Sequence, residues 1–358
     1  MKRRLLAILL ILTMALGLAS CGSKGSNSKD ASLSAVIDKM SDMGTGKSEI
    51  TVDIDTDILK AQQVPFSKLG LKITSQIDKD NEKVAKADIS YKLDTDEFTK
   101  LTTIIVDDQV IYVNLKELKT AAASLIDKLG LGQYQSILAA IPEAEYVKVD
   151  PATLSQLGAA VEVAPSSDVK ISMEDMKKFA KIGTEIAKVV EEAVKDVNPA
   201  VISGSGDEVS VSLNDKNAKA ALEALAKADY SKCFDNVMKQ MESISIGKDI
   251  VTKYVDKKDT VLKELKSGLE SAAAEIAKAK DFSFDYSVKI DGSKGERTAD
   301  TKFVIDLKDS EQYLKATVSG KTEEGTKETI EVPSDATDFM QLMSSLMSGA
   351  GALGGVTE

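Results

Sequence analysis

Strict alternation of apolar and polar side chains, near both ends of the chain, restricts the fold more than any other feature. Phe282, Phe284, Tyr286, Val288 and Ile290 occupy every second position, with Ser283, Asp285, Ser287 and Lys289 between them. A period of two puts all the apolar groups on one side of an extended backbone, so the segment reads as a strand with one dry face and one wet face. Ile50, Val52 and Ile54 repeat the pattern, as do Leu69, Leu71 and Ile73, and then Ala87, Ile89, Tyr91 and Leu93. Turn residues from Asp78 to Asn81 join the last two runs into an antiparallel hairpin. Residues 101–106 and 110–115 are apolar on both faces and read as central strands.

At the C-terminal end, Asp291 to Gly295 turns the chain into strands through Phe303, Ile305 and Leu307 and through Leu314, Ala316 and Val318. A last strand is expected at Ile330 to Val332, and after Pro333 a helix carrying Phe339, Met340, Leu342, Met343, Leu346 and Met347. Between the strand blocks the period changes to that of a helix. Met176, Phe179, Ile182, Ile186, Val189, Val190 and Val194 keep helical spacing, and Asn198-Pro199 stops them. A hairpin over 200–213 follows, then helices over 215–227 and 230–243 and one long helix over 248–280. The fold class is therefore α+β: a curved, half-barrel-like antiparallel sheet covered by helices, with a helical middle segment.

Composition removes most chemistry. Histidine is absent, which takes away the commonest general base and metal ligand. Beyond position 4 the one arginine is Arg297, and the formal net charge is −11, so nucleic acid is not an expected partner. There is no Trp and only 4% aromatic residues, which leaves little to stack on a base or sugar. Cys233 lies on a helical stripe with Tyr230, Phe234, Val237, Met238 and Met241 and reads as a buried structural thiol.

The N-terminus gives an address. Lys2, Arg3 and Arg4 precede an apolar run from Leu5 to about Gly17, and Leu18-Ala19-Ser20-Cys21 closes it in the manner of a bacterial lipobox. The run is shorter than the roughly 20 apolar residues a membrane-spanning helix needs. Residues 1–20 thus read as a lipoprotein signal peptide and Cys21 as the site of lipid attachment. The Gly/Ser-rich stretch 21–31 reads as a flexible tether. Residues 32–150 are expected to form the N-terminal sheet with helices, 151–280 the helical middle, 281–348 the C-terminal strands and methionine-bearing helix, and 349–358 a disordered tail.

Local motifs carry less. Gly349 to Gly354 spells a dinucleotide fingerprint without the strand and helix that give it meaning. Asp53, Asp55 and Asp57 start like a calcium loop, but Ile58 and Val64 stand where glycine and glutamate are required. Ser167-Asp-Val-Lys170, Ser212-Leu-Asn214 and Lys266-Ser-Gly268 follow the order of penicillin-binding serine enzymes, but the context is wrong. Ser167 precedes a strand-like run, and Lys266-Ser-Gly268 falls inside a helical pattern. No catalysis, cofactor or metal is expected.

A helix, a curved antiparallel sheet and covering helices behind a lipobox resemble the LolA/LppX-like lipoproteins over about residues 32–130 and 280–348. That resemblance implies a half-open barrel that holds acyl chains between sheet and helices. The lining expected here is Ile50, Val52, Ile54, Ile89, Tyr91 and Leu93, with Met340, Met343 and Met347 as a movable cover. The sequence reading is an extracytoplasmic, membrane-anchored protein that binds a lipid or other hydrophobic ligand. Its alternative is a structural or protein-interaction lipoprotein with a closed core.

Overall fold

The computed structural model describes residues 32–44, 46–57, 65–95, 97–141, 143–150, 153, 173–244, 247–277, 281–308 and 313–344. Helix α1 (Leu33–Ser41) leads into strands β1 (Gly46–Thr56), β2 (Lys68–Ile77), β3 (Val84–Leu93), β4 (Thr99–Asp107) and β5 (Val110–Asn114). Helices α2 (Leu115–Lys128) and α3 (Gln135–Ala140) and strand β6 (Tyr146–Val149) follow. The middle holds α4 (Met173–Val194), β7 (Ile202–Ser205), β8 (Glu208–Asn214), α5 (Ala218–Lys227), α6 (Ser231–Glu242), α7 (Gly247–Tyr254) and α8 (Lys258–Ile276). Strands β9 (Phe282–Asp291), β10 (Thr298–Lys308), β11 (Tyr313–Glu324) and β12 (Thr337–Asp338) complete the described elements.

The fold is α+β, as the alternation requires. Its strands are mostly antiparallel and hydrogen-bond in the orders β12-β6-β5-β4-β3-β2-β1 and β11-β10-β9-β8-β7. The β12–β6 pair is parallel. Contacts group the chain into two compact units. The first contains α1, residues 54–57 and the described residues from 173 to 325; the second contains residues 46–53, the described residues from 65 to 153, and 326–344.

In the first unit the alternating strand behaves as its pattern demands. Phe282, Phe284, Tyr286, Val288 and Ile290 are all buried, and the polar residues between them are not. Helices α1, α4, α5 and α8 supply the other side of this core through Leu33, Val36, Ile37, Ala187, Leu222 and Leu269. Alanines at 218, 221, 226, 272 and 273 are buried as well, and their small side chains let α5 and α8 approach closely. Helix α1 packs here beside α4, β8 and β9, although chain order sets it next to β1.

Both ends of α1 are held by charge. Glu191 on α4 accepts from the Ser32 hydroxyl at 2.8 Å, the Ser34 amide at 3.1 Å and the Ser34 hydroxyl at 2.8 Å, placing a carboxylate at the positive end of the helix dipole. At the other end Arg297 donates to the carbonyls of Asp42 at 2.6 Å and Lys39 at 3.4 Å. The same guanidinium donates to Glu324 at 2.8 and 3.1 Å, while Glu324 also takes the amides of Gly44 at 2.7 Å and Gly295 at 2.9 Å. The chain's one arginine beyond position 4 is therefore consumed inside the fold.

Asn217 is a buried polar plug that the sequence pattern gives no reason to expect. It is 1% exposed, accepts the Asn214 amide at 2.8 Å and donates to the carbonyls of Ser212 at 3.0 Å and Pro199 at 3.3 Å. Removing its amide strands those three backbone groups. Asn217→Ala is expected to lower stability by about 2–3 kcal/mol, read from urea denaturation, because each unpaired buried group carries its full desolvation cost.

Two expected elements differ from the structure. The helix expected over 248–280 is interrupted by a 3-10 turn, Val255–Lys257, between α7 and α8. Val255 and Asp256 are weak helix formers, and Lys258 is drawn into an ion pair with Asp235 of α6 at 2.7 Å. The strand expected at Ile330 to Val332 is absent, because the Ile330 amide donates to the Asp78 carboxylate at 2.5 Å instead of a sheet ladder. Asp78 also takes the amides of Asp80 and Asn81, each at 2.8 Å, and so organises the β2–β3 turn. Those amides, that of Ile330 foremost, hold its carboxyl below the usual range.

Candidate functional site

Ladder registers in the second unit assign every strand residue to one of two faces, because residues paired across an antiparallel ladder project to the same side. Leu69, Leu71 and Ile73 of β2 pair with Leu93, Tyr91 and Ile89 of β3. Across the next ladder Ile89 faces Thr102, and Ala87 faces Ile104. Ile104 in turn pairs with Val113, and Val113 with Val147. The result is an apolar face running from β2 to β6.

Strand β1 is phased onto that face by its charges. Glu49 pairs with Lys72 at 2.7 Å and Asp53 with Lys92 at 2.9 Å, and both lysines belong to the opposite face. The odd positions of β1 therefore lie with the lysines, and Ile50 and Val52 lie with Leu71 and Tyr91. Ile54, next in the alternation, belongs to the first unit. The sequence-derived lining of Ile50, Val52, Ile89, Tyr91 and Leu93 thus occupies one face of one unit.

The opposite face of these strands is ion-paired. Lys100 bridges Asp88 and Glu117 at 3.0 Å each, and Asp88 also meets Lys86 at 3.3 Å and the Thr103 hydroxyl at 2.9 Å. Burial pushes the Asp88 carboxyl up, but the hydrogen bonds from Lys100 and Thr103 outweigh it and leave the group below the usual carboxylate range. Lys92 lies 4.6 Å from the centre of the Phe98 ring while it pairs with Asp53. Charge is thereby segregated from the apolar side.

Exposure along the apolar face is uneven. Ile50, Leu69 and Leu71 are 44%, 37% and 36% exposed, whereas Tyr91 is 5% exposed. The Tyr91 hydroxyl is buried and has no hydrogen-bond partner among the described residues. Leu69, Leu71 and Ile73 were not in the lining read from sequence, although the turn at 78–81 sets them opposite Leu93, Tyr91 and Ile89. Their alternation just before that turn, facing the alternating run from Ala87 to Leu93 just after it, is the signal that finds them.

No family model, curated protein or solved structure matches this chain.

Two of the three methionines expected as a cover lie on a short helical turn. Residues 339–344 form a helical turn in which Leu342 is buried and Phe339 packs with Leu115 and Val147, while Met340 and Met343 are 43% and 37% exposed. Neighbouring positions on a helix point about 100° apart, so seating Phe339 and Leu342 turns Met340 and Met343 outward. Met347 lies outside the described residues, as do Cys21, Ser167, Lys170 and Gly349 to Gly354.

The remaining chemistry-bearing residues have structural surroundings. Burial pushes the Cys233 thiol up to about 11, with the charge of Glu185 adding to it, so the sulfur stays protonated at neutral pH. Ser212 donates to Asp285 at 2.7 Å on an exposed strand surface, and Lys266 lies in α8. Among the described residues no three His, Cys, Asp or Glu side chains gather in a way that could hold a metal ion.

Proposed function

We propose that this protein is an extracytoplasmic lipoprotein, anchored through lipidated Cys21, that binds a lipid acyl chain on the apolar sheet face of its second unit without catalysing a reaction. The observation that carries the reading is the coexistence on one face of Ile50, Val52, Leu69, Leu71, Ile89, Tyr91 and Leu93, with three of them more than a third exposed. An exposed apolar surface of this kind marks a ligand groove, a membrane or protein contact, or an aggregation hazard. The ion pairs on the reverse of the same strands keep charge away from it. The pattern-level resemblance to LolA/LppX-like lipoproteins belongs with this reading.

Native mass spectrometry of the chain carrying Cys21→Ser, released gently from cells, tests it. The expected result is a co-purifying lipid and recovery of the protein in the soluble fraction, where the unaltered chain sediments with membranes. Absence of bound lipid together with no uptake of a fluorescent fatty acid would sink the ligand reading. A structural or protein-interaction lipoprotein is the second reading. It is favoured by the dense core of the first unit, where Val209, Val288 and Phe284 are 0–2% exposed.

A further inference from the structure

We infer that Tyr91 selects the ligand: its phenol donates a hydrogen bond to the carbonyl oxygen of a bound acyl group, so the face takes fatty acids or acyl esters in preference to plain hydrocarbon. The inference rests on the lipid-binding reading above and adds the polar end of the ligand to it.

Burial and register together make the argument. Tyr91 projects to the apolar face, paired with Leu71 on one side and Thr99 on the other. Its side chain is among the most buried of that face, yet the hydroxyl has no partner among the described residues. Thr102, also buried on this face, shows the ordinary arrangement: it donates its hydroxyl to the Asn114 carbonyl at 3.0 Å. Buried hydroxyls in folded proteins nearly always find a partner, and one left unpaired opposes folding. A phenylalanine would fill the same space without that penalty.

The hydroxyl proton of Tyr91 is left without an acceptor among the described residues. A phenolic O–H donates, and an acyl carbonyl or carboxylate offers lone pairs to receive it. Acyl chains carry that oxygen at one end of an otherwise apolar body, which suits a hydrocarbon surface bearing a single hydroxyl. The open residues Leu69, Leu71 and Ile50 supply the apolar contact.

The test compares the full chain carrying Cys21→Ser, so that its own acyl groups cannot compete, with the same chain carrying Tyr91→Phe as well. Diphenylhexatriene, a hydrocarbon fluorophore without oxygen, reports occupancy, and palmitic acid and methyl palmitate displace it. Tyr91→Phe is expected to leave diphenylhexatriene affinity unchanged and to weaken displacement by about three- to tenfold, the range of one hydrogen bond. Weakening for both competitors supports an ester carbonyl as sufficient acceptor; weakening for palmitic acid alone supports the free acid.

The unliganded variant gives an independent readout. Its melting temperature should equal or exceed that of the parent, since no protein hydrogen bond is lost. A lower melting temperature, or equal displacement in both proteins, overturns the role of Tyr91 while leaving lipid binding intact. Failure of the parent chain to bind any of the three probes overturns the lipid-binding reading and this inference with it.

Discussion

Glu324→Ala is expected to lower the stability of the first unit by about 3–5 kcal/mol, the cost of leaving a partner charge buried and unpaired. Glu324 and Arg297 are each nearly buried, with side chains 6% and 10% exposed, and their closest contact is 2.8 Å. Arg297→Met should cost a similar amount, because it strands the carboxylate instead. Combining Arg297→Met with Glu324→Leu would recover part of the loss, since neither charge is then left without its partner. Urea titrations of the three variants check this order.

The same pair predicts an acid limit. The Arg297 guanidinium, helped by the amides of Gly44 and Gly295, brings the Glu324 carboxyl from 4.5 down to about 2 against the opposing effect of burial. A group whose value is depressed in the folded state stabilises the protein above its unfolded value and loses that contribution as pH falls through the folded one. Here the contribution is complete above about pH 4.5 and gone near pH 2, and amounts to about 3 kcal/mol. Unfolding free energy measured across that window should fall, and Glu324→Gln should flatten this part of the profile. An unchanged slope in the variant would show that other carboxylates carry the acid response.

Phe284→Ala is the second change with a large expected effect, about 3–5 kcal/mol. Phe284 is 2% exposed and meets Phe303 edge to face with ring centres 5.2 Å apart. Truncation loses the buried area, this contact and the packing around the resulting cavity. Leu69→Ala provides the contrast: a side chain already 37% exposed can lose little, and the expected change is under about 1 kcal/mol. Thermal and urea unfolding of both variants would separate a closed core from an open face. Comparable losses would mean that the second unit buries its apolar face in solution.

Much of the fold was legible because alternation and helical spacing are local. Phe282 to Ile290, Leu69 to Ile73 and Ala87 to Leu93 lie in the strands their patterns require. Boundaries drifted where a distant group competed for the backbone. Ile330 could not join a ladder once Asp78 took its amide, and the helix at 255–257 broke where Lys258 reached Asp235. Spacing could not sort the last helix, since Phe339, Leu342, Met340 and Met343 all fit an apolar stripe. Packing against Leu115 and Val147 decided which pair turned inward.

By itself the sequence determined the α+β class, the side of each strand that would be apolar, the lack of histidine chemistry and the lipobox at Cys21 as an expectation of address. Those follow from residue type and period, which need no knowledge of neighbours. Only the tertiary structure decided that α1 joins the first unit and that Arg297 is spent on Glu324 and the end of α1. It also decided that Tyr91 buries an unpartnered hydroxyl among the alternating residues of β1, β2 and β3. Each of these depends on partners tens to hundreds of residues away, and no local pattern specifies which charge, carbonyl or ladder the folded chain will bring into reach.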